Sequence, residues 1–466
     1  MCSPTGTSCG PVSSRGQVLA APNEKAPVMS DRPLVRPTAI SGFPEWLPEV
    51  RKVEQAWIDQ IRRAFERYGF CSIETPSVES LEVLTAKGET SQEVYTLRRL
   101  QADTDGESDA RLGLHFDLTV PFARYTAQHF NDLVFPFKRY QIQRVWRGER
   151  PQEGRYREFT QCDIDVINLD EVPLAYDAEM PRIIHEILTG LDLPPWSISI
   201  NNRKVLQGFY EGLGIGDPMA VIRAVDKLDK IGTEGVGRIL SDLGLAPQQV
   251  TACLDLARVR STDASVTDEI AALGVKSDLL TEGLDELAFV LNELRDLPTG
   301  TIVADLSIAR GLDYYTGTVY EGKFTDWPGY GSICSGGRYE NLAGSFIRRS
   351  LPGIGMSIGL TRIFAKLVAE GLLETGPKCP TDVLVVVPSD ERRPLATAVA
   401  AQLRDRGYNV EVYHQSDKVA KQLRYASRKN IPFVWFPPFE DGRPHEVKDL
   451  ASGEQAPAEP DTWQGR

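Results

Sequence analysis

Residues 137–167, FKRYQIQRVWRGERPQEGRYREFTQCDIDVI, are the most informative segment of the sequence. Two runs within it, 137–147 and 157–167, have the length and alternation of strands. The residues between them include two glycines and a proline, which are typical of turns. The pattern therefore predicts two antiparallel strands joined by a loop.

The return strand sorts its side chains by type, because successive side chains point to opposite faces. One face is apolar and carries Cys162, Ile164 and Val166. The other face carries Phe159, Gln161, Asp163 and Asp165, and the outgoing strand presents Gln141, Gln143 and Arg147 together. The solvated outer face of an antiparallel sheet is the simple explanation. The aromatic ring among these polar groups favours a binding site instead, because a ring beside an arginine is a good platform for a purine base.

The connecting loop concentrates positive charge in an acidic chain. It carries Arg147, Arg150, Arg155 and Arg157, whereas the formal net charge of the whole chain is −13. A solvated loop would explain such a run, but guanidinium groups projected by a hairpin suit contacts with phosphate.

A second polar segment covers residues 114–121, LHFDLTVP. It is predicted to be an edge strand that ends at its proline. Alternation would then place His115, Asp117 and Thr119 on one strand face.

A third segment covers residues 310–316, RGLDYYT. Arg310 stands at a strand end before a glycine that permits a sharp turn. Tyr314 and Tyr315 would point to opposite faces of the next strand, so only one of them can lie in the core.

Two glycine-rich stretches follow, residues 335–339 and 352–362. They match neither the phosphate loop of nucleoside triphosphatases nor the dinucleotide-binding motif. Close backbone packing explains such glycines, and so does the close approach of a ligand. Arg362 would lie on the helix that follows.

Composition limits the class of protein. The chain has 466 residues, 41% hydrophobic and 25% charged, as in soluble globular proteins of about three domains. An apolar run of about 18 residues is missing, so we expect no membrane span. The seven cysteines and five histidines show no metal-binding spacing, which predicts no zinc site and favours a reducing cytoplasm. The net charge argues against general coating of nucleic acid but allows a local basic patch.

Taken in order, these segments resemble the class II aminoacyl-tRNA synthetases, and among them the histidyl-tRNA synthetase family. Residues 70–79, 146–165 and 353–362 resemble motifs 1, 2 and 3 of class II. The segments RGLDYY and SGGRY, at 310–315 and 335–339, are similar to stretches peculiar to the histidine enzymes.

The resemblance implies an α+β fold, with an antiparallel sheet flanked by helices, and a cytoplasmic homodimer. Residues 35–202 and 297–376 would form the catalytic domain, and 203–296 a helical insertion. Residues 380–455, where strands and helices alternate, would be an α/β anticodon-binding domain. We expect the ends, 1–34 and 456–466, to be a disordered segment and a loose tail.

The resemblance also implies a reaction in two steps. L-histidine and ATP give histidyl-adenylate, and the histidyl group then passes to the 3′ end of tRNA(His). Arg147 and Arg310 would meet the α-phosphate, while Phe159 and Arg362 would hold the adenine and the γ-phosphate. Mg²⁺ would bridge the phosphates of ATP, and no protein-bound metal is expected.

Histidine recognition would use a second group of residues. Asp165 would accept from one imidazole N–H, and Tyr314 or Tyr315 would meet the other nitrogen. Asp117 and Thr119 would bind the α-ammonium group and Gln161 the carboxylate. Bacterial members often carry Glu where Asp117 and Asp165 stand, so the reach here is shorter by about one methylene.

For tRNA, the expected contacts are basic. Arg150 and Arg155 would approach the acceptor end. A predicted helix of the C-terminal domain carries Lys418, Lys421, Arg424 and Arg428 at spacings of three and four, which makes one basic face. A solvated helix face is the alternative.

Two other functions fit parts of the pattern. A non-catalytic regulatory subunit of histidine biosynthesis would share the fold, but the three arginines at 147, 310 and 362 and the C-terminal domain argue against it. A synthetase for another amino acid would lack the RGLDYY segment.

Overall fold

The computed structural model describes residues 35–86, 93–99, 111–309 and 315–465. The segment 1–34, with its predicted disorder, lies outside the described residues, as do Arg310 and Tyr314. All elements below belong to the compact unit Ile40–Arg466.

The helices are α1 (Pro48–Arg67), α2 (Leu81–Leu84), α3 (Thr119–Gln128), α4 (Ala175–Gly190), α5 (Arg203–Gly212), α6 (Pro218–Val225), α7 (Leu228–Asp242), α8 (Pro247–Arg258), α9 (Val266–Ala271), α10 (Asp278–Glu293), α11 (Leu360–Ala369), α12 (Arg393–Asp405) and α13 (Val419–Lys429).

The strands are β1 (Cys71–Ser72), β2 (Val78–Ser80), β3 (Thr96–Leu97), β4 (Leu112–Leu114), β5 (Phe137–Trp146), β6 (Glu158–Ile167), β7 (Trp196–Asn202), β8 (Arg260–Ser261), β9 (Ile302–Asp305), β10 (Tyr315–Phe324), β11 (Cys334–Tyr339), β12 (Gly353–Gly359), β13 (Val383–Val385), β14 (Val410–Val412), β15 (Phe433–Phe436), β16 (Glu446–Asp449) and β17 (Gln455–Pro457).

The main sheet has the order β1-β5-β6-β12-β11-β10-β7-β9-β8. Its six central strands, from β5 to β7, pair antiparallel, and β5 and β6 form the hairpin that the sequence predicts. Helices α1 and α4 cover its apolar face, where Ile164 of β6 packs in one core with Ile61 of α1 and Ile184 of α4. The predicted α+β class, with an antiparallel sheet flanked by helices, is confirmed.

Local sequence explains how α1 begins and ends. Pro48 occupies the first helical position, where the missing N–H costs nothing. At the other end Gly69 has φ of +79°, its N–H bonds Glu66 O and the N–H of Phe70 bonds Phe65 O. This is the Schellman ending, which favours glycine because the left-handed backbone conformation strains other residues.

Residues 203–296 hold α5 to α10, and only the short β8 interrupts the helices. Their buried residues, such as Phe209 and Leu287, belong to the same core cluster as the main sheet. Within the described residues, no helix is both long and apolar enough to cross a bilayer.

The edge strand predicted for residues 114–121 is wrong. The strand β4 ends at Leu114, and Thr119 begins α3. Asp117 Oδ1 accepts a hydrogen bond of 3.1 Å from the N–H of Val120, a bond that caps the helix start. Asp117 and Thr119 therefore do not share a strand face.

The C-terminal sheet has the order β14-β13-β15-β16-β17. The first three strands are parallel, and β16 and β17 add antiparallel strands that the sequence pattern did not predict. This sheet, α12 and α13 enclose a hydrophobic core of their own.

The predicted loose tail at 456–466 is also wrong, for the part that the structure describes. Its first residues complete β17, and the ring of Trp463 lies 5.0 Å from that of Tyr408 and 5.6 Å from that of Trp435. The backbone N–H of Gly465 donates to the Tyr408 hydroxyl at 3.0 Å. One aromatic residue is enough to anchor a segment whose composition is otherwise that of a tail.

Candidate active site

The polar face predicted for the hairpin continues across five strands. Directly opposed residues of antiparallel strands project from the same face of a sheet. Arg139 of β5 stands opposite Asp165 of β6, which stands opposite Gly355 of β12, itself opposite Gly337 of β11. A row of polar residues crosses the face two positions away: Gln141, Asp163, Ser357, Ser335 and Glu321.

This face is buried rather than solvated. The exposed fraction is 4% for Asp163, 5% for Asp165 and 9% for Gln161. Burying carboxylates is costly unless they are paired and hydrogen-bonded. The simple explanation, a solvated outer face, is therefore excluded for these residues.

Gly355, opposite Asp165, and Gly337, the next residue along the row, make room for the side chains around Asp165. A Cβ atom on Gly355 would lie 2.1 Å from Asp165 Oδ1, and one on Gly337 would lie 2.9 Å from the ring of Tyr315. Any larger residue at either position would displace the side chains that the predicted histidine pocket needs.

Asp165 is held from two sides. Its Oδ2 lies 2.5 Å from Nη2 of Arg139, and its Oδ1 accepts a hydrogen bond of 3.0 Å from the hydroxyl of Tyr339. Arg139 is fully buried, and its guanidinium carbon lies 4.1 Å from the centre of the Phe122 ring.

Asp163 sits in a different electrostatic setting. Burial raises its pKa to about 7, although the positive charge of Arg139 and a hydrogen bond from Ser357 act in the opposite direction. The negative charge of Asp117 also contributes to the rise, which places Asp117 near this face. Ser357 also accepts a hydrogen bond of 2.8 Å from Gln161 Nε2.

A cavity of about 440 Å³ opens beside these rows. Among the predicted site residues, it is lined by Arg147, Phe159, Gln161, Arg362 and Arg155. The structure thus brings together the residues predicted for ATP, except Arg310, which lies outside the described part of the chain.

Two of the arginines that line the cavity, Arg147 and Arg362, donate hydrogen bonds to backbone carbonyls. Arg147 lies over the Phe159 ring at 5.0 Å and donates from Nε to Phe116 O at 3.0 Å. Arg362 donates from Nε to Gly154 O at 2.5 Å and from Nη1 to Ser332 O at 2.6 Å. Such fixed guanidinium groups are suited to stabilising charge that develops on phosphate.

The residues predicted for histidine lie on neighbouring elements rather than in one strand. Asp165 is on β6, Tyr315 begins β10 above Gly337, and Thr119 begins α3. Tyr314 lies outside the described residues.

The residues predicted for tRNA form two exposed groups. Arg150 and Arg155 are exposed on the loop between β5 and β6. On α13, Arg424 and Arg428 are exposed, and Lys421 pairs with Asp417 at 2.8 Å. These α13 cations line an open depression of about 600 Å³ together with Lys378, Tyr413, Tyr425 and Lys429.

Sequence reasoning missed three residues of the buried face: Arg139, Ser357 and Tyr339. Arg139 has the same strand parity as Gln141 and Arg147, so alternation was a signal for it. The partners on β11 and β12 had no such signal, because their register with the hairpin depends on the fold. In the described residues, no group of three or more His, Cys, Asp or Glu side chains could hold a metal ion.

Comparison with known proteins agrees with this geometry. The family model described as "Histidyl-tRNA synthetase" matches residues 42–363, and the one described as "Anticodon binding domain" matches 382–456. The chain is 73% identical to a histidine–tRNA ligase of Thermobifida fusca, over 94% of this chain and all of that protein.

Solved structures give the same family. A histidyl-tRNA synthetase from Nostoc sp. PCC 7120 is 40% identical, with a TM-score of 0.82, over 91% of this chain and 97% of that one. A Bacillus halodurans protein described as an ATP phosphoribosyltransferase regulatory subunit/histidyl-tRNA synthetase is 22% identical, with a TM-score of 0.69, over 84% of this chain and 97% of its own; it shares the fold alone. The match of family model, sequence and structure shows that this chain belongs to the histidyl-tRNA synthetase family.

Proposed function

We propose that this chain is a histidine–tRNA ligase that joins L-histidine to ATP and passes the histidyl group to the 3′ end of tRNA(His). The observation that carries the proposal is the buried face with Asp165 and Gln161, next to a cavity lined by Arg147, Phe159 and Arg362. An amino acid and a nucleotide can then meet at the shared edge, where Gln161 belongs to both.

The histidine pocket would use hydrogen bonds to both ends of the substrate. Asp165 accepts from an imidazole N–H, while Tyr315 or Tyr314 meets the other ring nitrogen. Asp117 and Thr119 bind the α-ammonium group, and Gln161 orients the carboxylate. A buried site built on hydrogen bonds rejects substrates that lack them, because its own polar groups would stay unpaired.

The first step needs no general base. The histidine carboxylate is ionised at neutral pH and attacks the α-phosphate of ATP; a carboxyl–phosphate bond forms and the bond to pyrophosphate breaks. ATP enters as its Mg²⁺ complex. Arg147 and Arg310 stabilise the charge on the α-phosphate, and Phe159 and Arg362 hold the adenine and the γ-phosphate.

In the second step, the terminal ribose hydroxyl of tRNA attacks the histidyl carbonyl, and AMP leaves. A phosphate oxygen of the adenylate takes the hydroxyl proton, so the protein again supplies position rather than a base. Arg150 and Arg155 approach the acceptor end of the tRNA, and Lys421, Arg424 and Arg428 contact phosphates of the same tRNA.

We further propose that residues 35–202 and 297–376 act as the catalytic domain, 203–296 as a helical insertion, and 380–455 as the anticodon-binding domain. The protein would be a cytoplasmic homodimer that pairs through the motif 1 region at 70–79. A regulatory subunit is less supported, because the 73% identical relative is a histidine–tRNA ligase over its full length.

The test is ATP–pyrophosphate exchange with each of the twenty amino acids, followed by charging of tRNA(His). Histidine alone should support exchange. Equal exchange with another amino acid would contradict histidine as the substrate. Exchange without charging of tRNA(His) would contradict the ligase function.

A matched pair of variants sharpens the test. Asp165→Asn should lower kcat/KM for histidine by roughly 10²-fold, because the amide has no charge to balance the buried Arg139 and accepts through only one of its two ends. Asp170→Asn, in the exposed turn that follows β6, should leave it unchanged.

A further inference from the structure

Arg139 is a fully buried cation at the edge of the substrate site. Its Nη2 lies 2.5 Å from Asp165, and its guanidinium group lies over the Phe122 ring. In the described part of the chain, its Nε and Nη1 atoms have no hydrogen-bond partner. An arginine can make five such bonds, so this one is poorly satisfied.

Stability does not explain an arginine in this place. Replacing a buried ion pair by well-packed apolar residues is often neutral or stabilising, because the desolvation cost of two charges offsets their attraction. Phe122 and Phe137 already supply an apolar setting on this side of the sheet. The positive charge of Arg139 is therefore better explained by its electrostatic effect on the Asp165 carboxylate.

We infer that Arg139 is a positioning residue that makes the site select histidine with a neutral imidazole ring. The inference rests on the proposed function, in which Asp165 accepts a hydrogen bond from that ring. Arginine stays charged at any working pH, so the Arg139–Asp165 pair is neutral before substrate arrives. An imidazolium ring would then bring a second cation to one carboxylate in a buried site, whereas a neutral ring that donates an N–H brings none.

Other groups near the pair must be accounted for. Besides Arg139, the nearby titratable groups are Asp163 of the same strand, which interacts with Asp165, and Tyr339, which donates to it. Asp117 acts on Asp163, Tyr315 lies over Gly337, and Glu321 of β10 stands in the polar row of the same face. Asp163 titrates in the relevant range, because burial raises its pKa to about 7. The measurements are therefore repeated in an Asp163→Asn background.

The experiment measures KM for histidine by pyrophosphate exchange between about pH 6 and about pH 9, for wild type, Arg139→Met and Arg139→Lys. In wild type, KM should rise as pH falls toward the imidazole pKa of about 6.5, because the neutral ring becomes scarce. In Arg139→Met, the positive charge of Arg139 no longer balances that of the Asp165 carboxylate. This variant should therefore bind histidine together with one additional proton, held either by the imidazole ring or by Asp165. The ratio of KM in Arg139→Met to KM in wild type should therefore fall with falling pH, by up to about tenfold per unit.

Two variants separate this role from a structural one. Arg139→Lys keeps the charge without the planar fork, so it should keep the wild-type pH profile even if KM is higher throughout. Arg338→Met removes another arginine of this sheet, 14% exposed, which pairs with Asp177 on the opposite face. It should lower stability and give a KM ratio that does not depend on pH.

A ratio for Arg139→Met that is flat across the pH range would overturn the inference, as would a Lys variant that behaves like Met. If circular dichroism shows that Arg139→Met is unfolded, Arg139→Gln takes its place, with the same two outcomes. Failure of wild type to use histidine at all would instead overturn the proposed function, so the two failures are distinct.

Discussion

Two carboxylates on β6, two residues apart, meet different neighbours. Asp165 has a cation and a phenol within hydrogen-bond distance, from Arg139 and Tyr339. Asp163 stands opposite the uncharged Gln141 and Ser357, and burial raises its pKa to about 7. Identical side chains on one strand face thus meet different cross-strand partners, and burial raises the pKa of Asp163.

Asp163 should make the protein less stable as pH rises. The folded state keeps its proton up to about pH 7, whereas the unfolded chain loses it near pH 3.8, so folding becomes costlier across that window. Asp163→Asn removes this cost, and its free energy of unfolding relative to wild type should rise between about pH 5 and about pH 8. Three pKa units set an upper limit of about 4 kcal/mol.

Urea unfolding at the two pH values measures this difference. Asp326→Asn, at an exposed position after β10, is the control and should change stability equally at both. A difference for Asp163→Asn that does not change with pH would contradict a buried, protonated carboxyl group.

Among the secondary-structure elements, α11 contacts the loop between β5 and β6 through two of its basic side chains. Arg362 bonds the carbonyls of Gly154 in the loop and Ser332 before β11. One turn later Lys366 pairs with Glu153 at 2.8 Å, but the Glu153 side chain is 75% exposed. Of these two contacts from α11 to the loop, the one from Arg362 is the less exposed to solvent.

Arg362→Lys should raise KM for ATP by at least roughly tenfold, since an ammonium group cannot span two carbonyls, and leaving them unpaired costs about 1–3 kcal/mol. Glu153→Gln should change it by less than about threefold, because exposed ion pairs contribute about 0–1 kcal/mol. Pyrophosphate exchange at varied ATP concentration compares the two variants. Equal effects would mean that the surface pair holds the loop as strongly as Arg362 does.

Sequence periodicity predicts the helices and strands in which the buried side chains lie on one face. Alternation over the hairpin predicted β5 and β6. The buried residues of α1, such as Trp57, Ile61 and Phe65, follow one face in the same way. Periodicity failed at residues 114–121, which have the alternation of a strand, because the side chain of Asp117 caps the start of α3 there.

The site was predictable in part for the same reason. Residues of one strand, such as Gln161 and Asp165, share a face by parity alone. Their partners Ser357 and Tyr339 come from strands about 170 to 200 residues away, and only the register of the folded sheet brings them together. Arg139 had the parity signal, but its pairing with Asp165 needed the cross-strand register.

The end of the chain is a structural element too. Trp463 packs on Tyr408, Phe433 and Trp435. Trp463→Ala should lower the free energy of unfolding of the C-terminal sheet by roughly 2–3 kcal/mol, less than the cost for a fully buried Trp. Urea unfolding measures the loss. Phe439→Ala, at an exposed aromatic residue after β15, should cost far less, and equal losses would mean that the tail is not anchored by its indole ring.

The whole molecule combines a negative net charge with local groups of exposed cations, and it contains two separate hydrophobic cores. The chain carries a net charge of −13, yet several exposed cations stand close together on the β5–β6 loop and on α13. The main sheet and the C-terminal sheet have separate hydrophobic cores, and the two family models match the chain on either side of residues 364–381. Substrate chemistry and the α13 cluster therefore belong to parts of the chain that can be altered one at a time.

The pair of substitutions Arg424→Glu and Arg428→Glu should weaken tRNA binding at least roughly tenfold and leave histidine-dependent pyrophosphate exchange intact. Both side chains are exposed on α13, so reversing their charge leaves the core of that domain in place. Contacts with phosphate release counterions, and the loss of two contacts should reduce the slope of log affinity against log salt by about 1.4–1.8. Arg443→Glu with Lys448→Glu makes the same change of charge elsewhere in the domain and serves as the control. Equal loss in both pairs would show that only the net charge of the domain matters, and loss of exchange in the folded α13 variant would contradict the separation of adenylation from tRNA binding.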